Sequence, residues 1–198
     1  MIKYIQFIQR MVAGMQNVFS NVERTLITKE EIDERIKELA KQISDDYRDK
    51  NLLMIGVLKG SVVFMTDLMR ALDINCKIDF MAVSSYGSGT KSSGNLNIQM
   101  DLRKDVMGYD VLIAEDILDS GHTLSKVKEL ILSRKPASLK IVAMLDKPTR
   151  RKVDIEIDYT GFEVPDEFVV GYGLDFDEDY RNLPFIGVLK PETYNGSL

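Results

Sequence analysis

Val111-Leu112-Ile113-Ala114-Glu115-Asp116-Ile117-Leu118-Asp119-Ser120-Gly121-His122-Thr123-Leu124 is the stretch that decides how this chain folds. An apolar run ends in two adjacent acids, and a third acid follows three residues later. Ser-Gly-His-Thr then leads into a helical pattern. A buried strand, a tight turn and a helix N-terminus make an anion site, because the first turn of a helix has unpaired N–H donors at its positive end. The carboxylates offer oxygens to hydroxyl groups or to a metal.

The same alternation continues on both sides. Thr28-Lys29-Glu30-Glu31 is a capping box, and Ile32, Ile36, Leu39, Ala40 and Ile43 recur at helical spacing, giving a helix of about five turns. Residues 51–57 read as a fully buried strand, followed by Lys59-Gly60-Ser61 and a helical pattern through Leu72. Residues 77–84 form another strand, 85–95 a Gly/Ser-rich loop, and 96–100 a half-exposed strand. After the central strand at 111–115 come a helix over 123–132 and a buried strand over 139–145. Shorter strands are expected at 155–159, 167–172 and 185–188. Strands alternating with helices imply an α/β fold with a mostly parallel sheet covered on both faces. Ligands bind such sheets beyond the carboxyl ends of the strands. The acids at 115, 116 and 119, the Lys-Gly at 59–60 and Lys147 all fall there.

Composition narrows the function. The 198 residues suit one domain, with 44% hydrophobic and 29% charged residues. The net charge of −5 gives no overall basic field to recruit nucleic acid or an anionic membrane. One basic run stands out: Lys147, Arg150, Arg151 and Lys152, either a solvated loop or an anion contact. The single cysteine, Cys76, excludes an intrachain disulfide and reads as a buried small apolar residue. A reduced, cytoplasmic compartment is expected. No apolar run approaches the roughly 20 residues of a membrane helix. Residues 1–20 are read apart from a single domain at 21–198. They lack the continuous apolar core of a signal peptide. They read as a short amphipathic addition, an oligomer contact, or a misassigned start with Met11 or Met15 as the true one.

The segment at 111–124 resembles the phosphoribosyl-diphosphate (PRPP) signature of the type I phosphoribosyltransferases. The likeness runs from about residue 20 to the end and is nearest the bacterial hypoxanthine-guanine members. It implies that family's fold, with a small hood subdomain and a mobile lid. It also implies transfer of a 5-phosphoribosyl group from PRPP to N9 of a 6-oxopurine, in purine salvage, with Mg2+ as cofactor. Glu115 and Asp116 would face the ribose hydroxyls and the magnesium. Asp119 would take the purine proton, and Asp119, Ser120, Gly121, His122 and Thr123 would wrap the 5′-phosphate. His122, the only histidine, is expected to be a solvent-facing loop residue rather than an acid or base.

Four further segments support the resemblance. Lys59 and Gly60 would contact the pyrophosphate, with a cis peptide expected at Leu58–Lys59. Residues 84–94 would form a lid, with Ser85 and Tyr86 closing over the pyrophosphate and shielding an oxocarbenium-like ribose from water. Lys147, in Leu145-Asp146-Lys147-Pro148, would donate to the purine 6-oxygen and so reject adenine. In Phe168-Val169-Val170-Gly171-Tyr172-Gly173-Leu174-Asp175, Phe168 would stack on the purine and the Val169 backbone would read its edge. Ile117 would join the purine contacts. Asp175 would bind a second magnesium, and Arg181 would hold pyrophosphate oxygens. The family commonly forms dimers or tetramers, so a homodimer or homotetramer is expected. Two alternatives stay open: the same chemistry on xanthine, and a non-catalytic regulator sensing PRPP or nucleotide on this fold.

Overall fold

The structure is a computed structural model that describes residues 19–85 and 96–195. In chain order its elements are β1 (Val22–Ile27), α1 (Lys29–Tyr47), β2 (Leu52–Leu58), α2 (Val62–Ala71), β3 (Lys77–Ser85), β4 (Leu96–Met100) and β5 (Asp110–Leu118). There follow α3 (His122–Ser133), β6 (Ser138–Asp146), a 3-10 turn (Pro148–Arg150), β7 (Tyr159–Glu163), β8 (Val169–Val170), β9 (Ile186–Leu189) and α4 (Pro191–Asn195).

The chain divides into two compact units, one of residues 33–166 and one of residues up to 32 together with those from 167 on. The larger unit holds a sheet ordered β4-β3-β2-β5-β6-β7. β2 pairs in parallel with β3 and β5, β6 pairs in parallel with β5 and β7, and only edge strand β4 is antiparallel. This is the mostly parallel sheet the alternating pattern predicts. Its core includes Leu53 and Ile55 of β2, Val111 and Ile113 of β5, Ile141 and Ala143 of β6, and Leu124, Val127 and Ile131 of α3. The helix residues recur at three- and four-residue steps, which put them on one face.

The smaller unit holds an antiparallel sheet ordered β1-β9-β8. Val170, Tyr180, Leu183 and Leu189 form its own small core. Together the two sheets are the α/β architecture of a parallel central sheet and a hood. The capping box forms as expected: the Glu31 carboxylate accepts from the Thr28 backbone N–H at 2.8 Å, and Glu31 N–H donates to Thr28 Oγ1 at 3.3 Å. Among the described residues, no helix is long and apolar enough to cross a membrane.

Three local expectations differ from the structure. The strand expected at 155–159 is instead Tyr159–Glu163. Ile155 and Ile157 do pack against the core, so their alternation reports burial, but the sheet ladder begins only at Tyr159. The strand expected at 167–172 shrinks to Val169–Val170, because Gly171 and Tyr172 take positive φ and turn the chain. β1 carries no signal clear enough to have been anticipated. Cys76 is only partly buried and sits just before β3; burial still pushes its thiol up to about 11.

Candidate active site

β2 and β5 are neighbours, but the chain leaves β2 toward β3 on one side and β5 toward β6 on the other. The carboxyl ends of two such strands border a crevice, the usual ligand position in open α/β sheets. The Leu58–Lys59 peptide that ends β2 is cis, as expected. Gly60 follows and lies directly against Asp116 at the end of β5. A Cβ added at Gly60 would fall 2.5 Å from Asp116 Cγ and closer still to Oδ2. Any side chain there would have to displace the Asp116 carboxylate, so two segments separated by 56 positions in the sequence are in contact at the crevice.

β5 runs on past its acids. Glu115 Oε2 is buried without a hydrogen-bond partner. Burial, and then the neighbouring Asp116 charge, push the Glu115 carboxyl well above the usual carboxylate range. Asp116 Oδ1 accepts from the Ile117 N–H at 2.9 Å. The orphaned Glu115 oxygen beside a second acid offers hard oxygen donors, which fit a divalent cation that shares its shell with substrate oxygens. Among the described residues no group of three or more His, Cys, Asp or Glu side chains converges as a metal cluster.

The turn 119–123 then enters α3. Gly121 has φ +82° and is the N-cap residue of the helix. A Cβ there would meet Val153 Cγ2 at 2.8 Å and Ile155 Cγ2 at 3.0 Å. His122 faces solvent as expected, although it is the first residue of α3 rather than part of a loop. Asp119 Oδ1 lies 2.7 Å from Arg150 Nε, an ion pair that falls short of an aligned hydrogen bond. Arg150 also reaches Asp166 Oδ1 at 3.1 Å. Just after the next strand, Lys147 is only 6% exposed, and its backbone N–H donates to the Leu118 carbonyl at 3.0 Å. Lys59, Gly60, Glu115, Asp116, Ile117, the 119–123 turn and Lys147 are thus set on three adjacent strand ends. Ser85 ends β3; Tyr86 and the rest of the loop expected to form a lid lie outside the described residues.

The smaller unit assembles the other expected residues. Phe168 is 38% exposed, although it is a large aromatic. Tyr194 stacks on it with ring centroids 5.0 Å apart, and Phe176 meets it edge-on at 5.5 Å. Val169 is buried in β8, opposite Val188. Arg181 Nη1 lies 3.0 Å from Asp175 Oδ1 and donates to the Gly173 carbonyl at 2.9 Å. The connecting turn is dense in positive φ: Gly171, Tyr172, Gly173, Asp177, Glu178 and Tyr180. Such backbone persists where surrounding structure holds it, commonly at ligand sites.

The phosphoribosyl transferase domain family matches residues 26–177. The chain belongs to the phosphoribosyltransferase family. Within it, the chain is 55% identical to the hypoxanthine-guanine phosphoribosyltransferase of Bacillus subtilis over 174 residues, 88% of this chain and 97% of that protein. It is 51% identical over 193 residues to the bifunctional protein TilS/HprT of Listeria monocytogenes, covering 98% of this chain and 30% of that protein's length. A crystal structure of a hypoxanthine phosphoribosyltransferase from Staphylococcus aureus superposes with a TM-score of 0.86 at 53% identity, over 89% of this chain and 96% of that one. The chain therefore spans less than a third of the bifunctional relatives.

Two features of this phosphoribosyltransferase chain were not anticipated. In the basic run Arg150, half exposed, and Arg151, largely buried, are both tied to acids, and only the positions of those acids in the fold disclose it. Tyr194 and Phe176 brace Phe168; no spacing rule joins residues this far apart.

Proposed function

We propose that the chain transfers the 5-phosphoribosyl group of PRPP to N9 of hypoxanthine or guanine, giving IMP or GMP and pyrophosphate, in purine salvage. The observation that carries this is the seating of Gly60 on the Asp116 carboxylate at the switch point between β2 and β5. It supports one site where a pyrophosphate loop meets the acids that would hold a ribose. Purine N9 bonds to C1′ as the C1′–O bond to pyrophosphate breaks. The proton of the purine goes to Asp119, which acts as general base.

Glu115 and Asp116 accept from the ribose hydroxyls. The backbone N–H groups of Asp119 to Thr123, with the Ser120 and Thr123 hydroxyls, hold the 5′-phosphate. Lys59, the Gly60 backbone, Ser85, Tyr86 and Arg181 hold the pyrophosphate and offset its developing charge. Lys147 donates to the 6-oxygen, Phe168 stacks on the base, and Ile117 and the Val169 backbone line it. Mg2+ would be held by Glu115 and Asp116, and by Asp175 for a second ion, and would neutralise charge on the pyrophosphate. The same reading takes residues 21–198 as one functional domain with residues 1–20 as an extension, working in the cytoplasm as a homodimer or homotetramer.

The test is a spectrophotometric assay with PRPP, Mg2+ and, separately, hypoxanthine, guanine, xanthine and adenine. Turnover of hypoxanthine and guanine alone is the expected result. Dominant xanthine turnover would move the chain to the sister activity. Binding of PRPP without turnover of any base would make it a regulator instead.

A further inference from the structure

The proposed function uses only Lys147 of the basic run. Arg151 is built differently from its exposed neighbour Arg150. Its side chain is 18% exposed, and its Nη2 donates to Asp146. Its Nε and Nη1 are buried with no hydrogen-bond partner. Arginine does not shed its proton in a protein, so a full positive charge sits inside this loop, offset by one carboxylate and with two nitrogens left without a partner.

Its position gives that charge a use. Arg151 Cδ would lie 3.3 Å from a Cβ on Gly121, so the stem of the side chain runs along the back of the 119–123 turn. Beside it the Lys152 N–H donates to the Ser120 carbonyl at 3.0 Å, and Val153 and Ile155 close on Gly121. At its other end, Asp146 is the last residue of β6, pairs in register with Leu118, and immediately precedes Lys147. One side chain thus touches the turn proposed to hold the 5′-phosphate and the residue that seats the proposed base reader.

We infer that Arg151 is a positioning residue: it ties the 5′-phosphate turn to the loop of Lys147 and places a buried positive charge behind that turn. The inference rests on the proposed function for the identity of the two ligands. Arg151 touches neither ligand. It fixes the station of two loops, and its charge, shielded from water, favours an anion on the turn.

The test compares full-length wild type with Arg151→Met, Arg151→Lys and Asp146→Asn. PRPP affinity is read by calorimetric titration in Mg2+, KM and kcat by the hypoxanthine assay, and folding by thermal melt. Arg151→Met keeps the stem and loses the charge; PRPP binding should weaken about tenfold or more, since breaking a buried pair is costly. Arg151→Lys restores the charge without the fork and should recover most of that loss. Asp146→Asn keeps the cation but cuts the tie, and should raise the KM for hypoxanthine more than that for PRPP.

PRPP affinity within twofold of wild type in a folded Arg151→Met, or in Arg151→Lys and Asp146→Asn if the first does not fold, with only kcat or melting temperature lowered, would mean a purely structural role and overturn the inference. Wild type that turns over no base would overturn the proposed function instead; the PRPP titrations would still decide the role of Arg151.

Discussion

Gly60 has no room for a side chain because the Asp116 carboxylate occupies the place where its Cβ would be. A glycine and an acid from different strands therefore define one floor. Gly60→Ala has to displace either the cis-peptide loop or Asp116. In the hypoxanthine assay, kcat/KM for PRPP should fall about 100-fold, the usual consequence of shifting a site by an ångström. Wild-type kinetics in this variant would show that the contact is not part of the site.

Asp119 is proposed as base, so Asp119→Asn keeps the shape and removes the proton acceptor. Turnover should drop about 100-fold or more, with PRPP affinity in a calorimetric titration little changed. Equal kinetics would end its assignment.

Lys147 is nearly buried, and its backbone is fixed by Leu118. Lys147→Gln replaces an obligatory donor by a side chain that can also accept. The ratio of kcat/KM for hypoxanthine over adenine should narrow by about tenfold, the scale set by one unpaired buried donor. Parallel assays with the two bases read it, and an unchanged ratio would place the 6-oxo contact elsewhere.

Cys76 offers a pH prediction. Burial favours the neutral thiol, which raises its pKa to about 11. Alkylation by iodoacetamide follows the thiolate, so its rate should be slow at pH 7 and climb about tenfold per pH unit, without levelling at pH 9 as an unperturbed thiol does. Mass spectrometry of timed reactions reads the rate, and a rate half-maximal near pH 8.5 would show an ordinary, exposed cysteine.

Much of the fold was legible because each signal was local. The capping box at Thr28–Glu31, the apolar runs of β2, β5 and β6, and the acids that follow them are set by neighbours in sequence. Contacts between distant elements left no such mark. In β3 Ile78 is exposed and Asp79 is buried, where its Oδ2 accepts from the N–H groups of Arg103 and Lys104, each at 2.9 Å. The carboxylate faces inward because a turn some 24 residues later brings it donors. The same holds for Arg151 and Asp146: a basic run in a loop looks solvated until the fold supplies its acid. Positive φ at Tyr172 and Tyr180 was equally hidden, since tyrosine has no preference for that region.

The hydrogen bond from Lys147 N–H to the Leu118 carbonyl has one more consequence. β5 and β6 are adjacent rungs of a single ladder, about 4.8 Å apart as neighbouring strands are. On the proposed function, the sheet therefore works as a ruler between the ribose on the β5 acids and the base contacted by Lys147. A descendant of this chain that came to prefer a larger or smaller partner could alter the reach of the side chain at 147, but could not slide the two loops apart without breaking the backbone pairing beneath them.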